Sequence, residues 1–509
     1  MRRTFAVLSM ALALLAGTLA AATTGTAAAD PGRRAAPAGA ADRAAARTAV
    51  SVATRVLDGR AGRADPSATM ALRDLWTALP SLAGTERRRA EALLARPTDG
   101  AADPYGFGYT VGARSKCAKN VCLHWVPTTI DAPPSKSWVK YNLKQMQKVW
   151  RVETGRLGYR KPLKDGHRGG NKKFDVYLKD VGSVGLYGYC AAETRIQRFL
   201  ASGYCVLDND FSTAQFPSSP KKSLKVTAAH EFFHAVQYAY DAEDDRWLLE
   251  ATATWMEERV ADGANDNRQY LPYGQVKDPY SPLDTYGGGA LNQYGNWAFF
   301  EFLSKKYGTG IVRQIWSKMA ADKKSPDLYS TQAVVRVLKS KGGFVKNYAE
   351  FAAGNTVPGR TYQEGGRWPS ATLALDATLT TAARTTGILG GPLNHLTSSS
   401  YVLRPDASLK KRSWKLKVKI DGPQRKTSPA AYVLVDRRHG KTEKRFVKLD
   451  GKGRASLKVD FSSRKVTKVT ITLVNASTRF RCFRQTSWSC SGNPKDDGAG
   501  FTLKAVARK

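Results

Sequence analysis

The stretch VTAAHEFFHAVQYAYD, residues 226–241, places two of the chain's six histidines four residues apart, with a glutamate beside the first. No proline or glycine interrupts it, alanines and aromatics fill it, and Thr227 can cap a short version, so the pattern predicts a helix. Residues four apart on a helix lie nearly one above the other, so His230 and His234 can aim ring nitrogens at one ion. Glu231 flanks that face. This is the HExxH arrangement, in which two neutral imidazoles hold zinc and the adjacent carboxylate takes a proton from an attacking water. With histidine this scarce, chance places such a motif in a chain of this length well under ~1% of the time.

A catalytic zinc takes three protein ligands and keeps a position open, so a third ligand belongs close by. The pattern that continues to a third histidine is excluded, because Gln237 and Tyr240 hold the required positions. Glu250, in RWLLEATATWMEE, is the favoured ligand. It follows an acidic turn (Asp241 to Asp245) that lets the chain reverse into a second predicted helix, Arg246 to Val260. Ala251 and Ala253 beside it are small, and Trp247, Leu248 and Leu249 before it are apolar, as a buried helix meeting the first requires. Glu257 and Glu258 are the alternatives.

HEFFH followed by WLLEATATWMEE resembles the gluzincin clan of zinc metallopeptidases, the thermolysin-like group with two His and one Glu as ligands. More narrowly, the run from FDVYLKDVG through YGYC and GYCVLDNDF to LEATATWMEE is similar to a family of exported bacterial metalloproteases of actinobacteria and myxobacteria, over roughly residues 105–400. The resemblance implies that His230, His234 and Glu250 hold Zn²⁺ and that Glu231 is the catalytic glutamate. It implies a secreted zinc-dependent endopeptidase acting on protein or peptide substrates. The sequence departs from the thermolysin type in one respect: Thr254 stands where that group has an aspartate orienting a histidine ligand. Tyr286 and Tyr294 are candidates for stabilising an oxyanion. Gly287 to Gly289 precede a predicted helix but lack a P-loop lysine, a weak phosphate signal.

Around this core the 509 residues have room for two or three domains. Residues 1–29 read as a secretory signal: Arg2 and Arg3, an apolar run from Phe5, and a small-residue stretch before Asp30. No other run approaches the ~18 apolar residues of a membrane span. Residues 30–104 are rich in Ala and Arg and contain no lysine, a composition that fits a pro-segment or an N-terminal extension, with short helices expected near Thr69 to Ala78 and Glu86 to Ala95. Six cysteines in an exported chain favour disulfides over a thiol metal site. They fall as local couples, Cys117 with Cys122, Cys190 with Cys205 and Cys482 with Cys490, although 15 pairings are formally allowed. Lys173 to Val181 and Gly203 to Phe211 read as strands, the latter ending in Asp208 and Asp210, which read as solvated carboxylates of a turn, with calcium binding the alternative.

From about residue 387 the period changes from helical to alternating. In SWKLKVKI, Trp414, Leu416, Val418 and Ile420 alternate with three lysines, which describes a half-buried strand with a basic outer face. AYVLVD, KRFVKLD, ASLKVDF, KVTITLV and FTLKAVA follow at short intervals. The expected class is therefore α+β: a zincin-like metallopeptidase domain over 105–386, mainly helical with a small mixed sheet, followed by an antiparallel β-sandwich over 387–509. The net charge is +37, and 28 Lys and Arg against 8 Asp and Glu put +20 of it between Gly390 and Lys509. Such a field suits anionic polymers or cell wall. Nothing in it reads a specific nucleic acid. The other function class the sequence supports is thus an exported polyanion-binding protein whose zinc site is structural or vestigial.

Overall fold

The computed structural model describes residues 40–60, 67–99, 106–287 and 291–509. The expected signal sequence lies outside the described residues. Three helices open the chain: α1 (Ala40–Leu57), α2 (Thr69–Ala78) and α3 (Gly84–Leu93). A five-stranded sheet follows, built from β1 (Arg114–Cys117), β2 (Val121–Trp125), β3 (Phe174–Lys179), β4 (Gly188–Gln197) and β5 (Leu200–Asp208), with α4 (Lys136–Trp150) between β2 and β3 and continuing into one π-helical stretch, Arg151–Arg156. Its order is β1-β2-β3-β5-β4. Strands β2, β3 and β5 are parallel, while β4 runs antiparallel along the edge.

Helices α5 (Pro220–Gln237) and α6 (Arg246–Ala261) come next, α5 lying on β4 and β5 and α6 against α5. Pro220, whose missing N–H costs nothing in a first helical turn, starts α5 ahead of the stretch 226–241 whose pattern predicts it. From Val226 to Gln237 every residue of α5 is buried, as are Trp247 to Glu258 of α6. Small and aromatic side chains all round, instead of one apolar stripe, are what an enclosed helix needs. The short α7 (Asn292–Gly295), then α8 (Trp297–Tyr307), α9 (Gly310–Met319), α10 (Ser330–Leu338), α11 (Phe344–Gly354) and the short α12 (Pro358–Thr361) complete the helical part.

The remainder is a two-sheet sandwich: β6 (Leu375–Leu379), β7 (Thr385–Leu393), β8 (Thr397–Pro405), β9 (Lys415–Asp421), β10 (Pro429–Arg437), β11 (Glu443–Lys448), β12 (Arg454–Asp460), β13 (Val466–Asn475), the two-residue pair β14 (Phe480–Arg481) and β15 (Asn493–Pro494), and β16 (Ala499–Arg508). One sheet has the order β11-β10-β13-β8-β6 and the other β12-β9-β16-β7. The fold is thus mixed α+β. Two details differ from the sequence reading. β6, upstream of residue 387, already belongs to the sandwich, and it pairs with β8 in parallel, so the sheet is not wholly antiparallel. The connection from β6 must therefore cross to the other sheet and return.

The sandwich is welded to the helices. Along β10, Ala431, Val433 and Val435 face the sandwich interior, whereas Ala430, Tyr432 and Leu434 join the core of the helical part, with α11 packed on them. Deeper in the interface His395 sits with Nε2 2.9 Å from Asp284 and Nδ1 2.6 Å from Asp497, and Asp284 also accepts from the Ser489 hydroxyl. All three cysteine couples form disulfides. Cys190–Cys205 joins directly opposed residues of β4 and β5. Among the described residues no helix is long and apolar enough to cross a membrane.

Candidate metal centre

His230 and His234 on α5 meet Glu250 on α6: ligand atoms of the three lie within 4.8 Å of one another. Oε2 of Glu250 stands 3.0 Å from His230 Nε2 and 3.7 Å from His234 Nε2. The proton arrangement on His234 follows from its neighbour. Gln237 donates its Nε2 to the Leu249 carbonyl and to Thr252 Oγ1, so its oxygen must be the end that faces His234 Nδ1, at 2.7 Å. Nδ1 therefore carries the hydrogen, and Nε2 presents a bare lone pair. That Nε2 and the second oxygen of Glu250 are buried with no hydrogen-bond partner. Two orphaned acceptors beside a third ligand are costly unless a cation answers them, and a His₂Glu donor set is one that zinc uses. The residues fit the ion.

Glu257, two turns after Glu250 on α6, places Oε1 2.8 Å from His230 Nδ1. Burial opposes charge on His230, but hydrogen bonds to Glu250 and Glu257 raise it well above its ordinary range. Burial likewise works against an ionised Glu250, yet its contacts with the His234 and His230 imidazoles hold it below the usual carboxylate range. Glu257 is pushed up by burial to about 7 despite its bond to His230. Without an ion the centre is thus a closed acid–base cluster carrying a proton on His230, and an ion binding there must displace it.

The partners that orient the imidazoles are thus Glu257 and Gln237. Thr254 faces no histidine; its hydroxyl donates to the Glu250 carbonyl of its own helix. Glu258 turns elsewhere, accepting from Asn267 and neighbouring Asp262 and Glu364. Tyr294 is buried with its ring 5.9 Å from that of His230, whereas Tyr286 lies under the Arg246 guanidinium. Asp208 and Asp210 are turn acceptors, taking the backbone N–H groups of Gly182, Phe211 and Ser212. On the π-helical stretch Glu153 is wholly buried without a partner for either oxygen, and burial pushes it well above the usual carboxyl range.

Glu231 has an unforeseen neighbour. Its Oε2 accepts a 2.8 Å hydrogen bond from the hydroxyl of Thr69, the first residue of α2. Nothing in an Ala/Arg-rich segment 162 positions upstream advertises that contact. The Cys190 sulfur lies against the Glu231 carbonyl, so the β4–β5 disulfide packs directly behind the motif.

A profile of DUF6055, a family of unknown function, matches residues 109–341, which include the five-stranded sheet, α5 and α6 but neither the N-terminal helices nor the sandwich. No protein of curated function matches the sequence. Among solved structures, PliG of Aeromonas hydrophila, a periplasmic inhibitor of g-type lysozyme, aligns at 15% identity over 26% of this chain and 100% of its own, with a TM-score of 0.15. A likeness that slight bears on neither fold nor function.

Proposed function

We propose that the chain is an exported zinc-dependent peptidase of zincin type. The observation that carries this reading is the convergence of His230, His234 and Glu250 with two unanswered acceptors, His234 Nε2 and a Glu250 oxygen, at its centre. A zinc ion held there supplies Lewis acidity to the scissile carbonyl and to the attacking water. Glu231 takes the proton from that water and passes it to the leaving amine. Glu257 and Gln237 fix the imidazoles by their Nδ1 hydrogens, and Tyr294, near His230, is the better placed of the two tyrosines to steady the developing negative charge. Three disulfides suit an oxidising compartment.

The test begins with metal analysis. One zinc per chain is expected, lost in Glu250→Ala and kept in Glu258→Ala. Casein hydrolysis should stop with chelator and be absent in Glu231→Ala, which still holds its zinc; undiminished hydrolysis by Glu231→Ala would sink the reading.

A second reading, attachment to an anionic polymer, has its own observation. On the outer face of the four-stranded sheet Lys417 stands directly opposite Lys458, and Lys419 opposite Lys504. Like charges in register destabilise a sheet, so the arrangement calls for an external anion. No ion pair is found for these four among the described residues, and that face points away from the helical part. The face carries no aromatic side chain to stack on a base or sugar ring, which favours a polymer met by charge alone. Binding to a phosphodiester-linked polyol should weaken steeply with salt, by a log–log slope near the ~0.7 per neutralised phosphate of single strands. Replacing the four lysines by glutamine should flatten the slope; replacing Lys318, Lys323, Lys324 and Lys339 of the helical part should not. Equal effects would reduce this reading to net charge.

A further inference from the structure

The Thr69 hydroxyl is used completely. It accepts from Ser67 Oγ and from the Cys190 backbone N–H, each at 2.9 Å, and gives its single hydrogen to Glu231. Two residues earlier, Ser67 bridges Gly188 on the free edge of β4, the side opposite the ladder that pairs Gly188 with Leu207. Chain segment 67–69 therefore runs along the sheet edge and closes on Glu231. The helix that follows pins it in place. Arg73 donates to the carbonyls of Ala242 and Asp244 in the turn between α5 and α6, at 2.6 and 2.7 Å. Trp76 donates to the Glu193 carbonyl on β4 and carries the Arg195 guanidinium 4.0 Å from its ring. Thr69, Met70, Leu72, Leu75 and Trp76 are all buried.

We propose that the segment from Ser67 to Trp76 is a built-in blocker. It occupies the edge where an extended peptide would approach Glu231 and engages the very carboxylate that has to accept water's proton; this rests on the peptidase reading for what is blocked. The blocker ends before Leu94. From there the chain is part of the scaffold: Tyr204 holds the carbonyls of Leu94 and Ala95, and the Arg96 guanidinium is enclosed with Asp165, Asp175 and Glu193. The resident segment meets Gly188 in parallel, and its bond to Glu231 comes from the Thr69 side chain, not from a peptide group.

Three full-length, zinc-loaded proteins test this: the natural chain, Arg73→Ala, which loosens the helix, and Thr69→Val, which frees Glu231 while retaining bulk. The probe is a fluorescent peptidyl hydroxamate, which must reach both the ion and the β4 edge, read beside casein hydrolysis and a melting curve. Arg73→Ala removes the two charge-assisted hydrogen bonds that tie α2 to the α5–α6 turn, so at least ~10-fold tighter probe binding is expected. Thr69→Val should bind the probe more tightly too, and a synthetic peptide of residues 67–79 should compete with the probe on Arg73→Ala, less well when it carries valine for Thr69. Equal probe affinity in all three folded proteins overturns the blocker. Tighter probe binding in the variants without any hydrolysis keeps the blocker and removes the peptidase reading instead.

Discussion

Glu257→Gln isolates the residue that takes the place of the aspartate missing at Thr254. Its Oε1 lies 2.8 Å from His230 Nδ1 inside a site where Glu257 is 6% exposed, so solvent offers little replacement. Glutamine keeps an acceptor and nearly the same volume, and only the charge assistance is lost. A hydrogen bond to a charged group contributes roughly 1.5–3 kcal/mol against about 1 for a neutral one, a difference equal to about 10-fold in an equilibrium constant. Removing the acceptor altogether in Glu257→Ala should approach the 100-fold end of the ~10–100-fold range for such partners. The assay is competition for Zn²⁺ with a chelator of known affinity, at pH 8, above the value of about 7 to which burial brings Glu257. Gln237→Ala should lose affinity as well, because His234 then no longer has its Nδ1 hydrogen held. Thr254→Asp should gain none, since its side chain points along its own helix, and it should cost stability by burying an unpaired carboxylate. The reasoning fails if Glu257→Gln and Glu257→Ala both bind zinc as the natural chain does.

His395 makes stability pH-dependent. Against its burial, Asp284 and Asp497 raise it to about 9. The folded value exceeds the unfolded one of about 6.5, so the contribution is complete below pH ~6.5 and is lost as pH rises through 9, at most about 3 kcal/mol. Urea unfolding from pH 6 to 10 should show that loss, and His395→Gln should flatten it. Arg96→Met removes the cation that Asp165, Asp175 and Glu193 share, leaving Glu193 only Arg168 and Asp175 only the neutral contacts of His124 and Asn171, which should cost about 3–5 kcal/mol in the same assay. Replacing Lys417, Lys419, Lys458 and Lys504 together by glutamine should raise Tm by about 1–2 °C in a scanning calorimeter, because two in-register repulsions vanish.

The sequence disclosed what depends on spacing along one element. Four-residue spacing put His230 and His234 on one face, and an apolar helix after a tight acidic turn put Glu250 opposite them. Alternation exposed most of the sandwich, from SWKLKVKI to FTLKAVA. It did not disclose what depends on how elements cross. Glu257 and Glu258 are neighbours in sequence, and only the packing of α6 on α5 decides that one faces His230 while the other meets Asn267. Strand β4, GYCAAETRIQ, lacks alternation because its first five residues are buried while the rest run out to solvent. The link from Thr69 to Glu231 has no local signature at all, since a single threonine in an alanine-rich stretch reads as an ordinary helix start.

α11 and the inner strands β10 and β13 share one continuous interior, so the helical part and the sandwich should melt together, in one calorimetric peak. The β-rich end is therefore no detachable handle on a flexible stalk. If the lysine face lies down on a polymer, the rest of the molecule is held at a set height and bearing above it, as a lamp is aimed by its bracket, and what the metal centre can reach is settled by where the protein is moored.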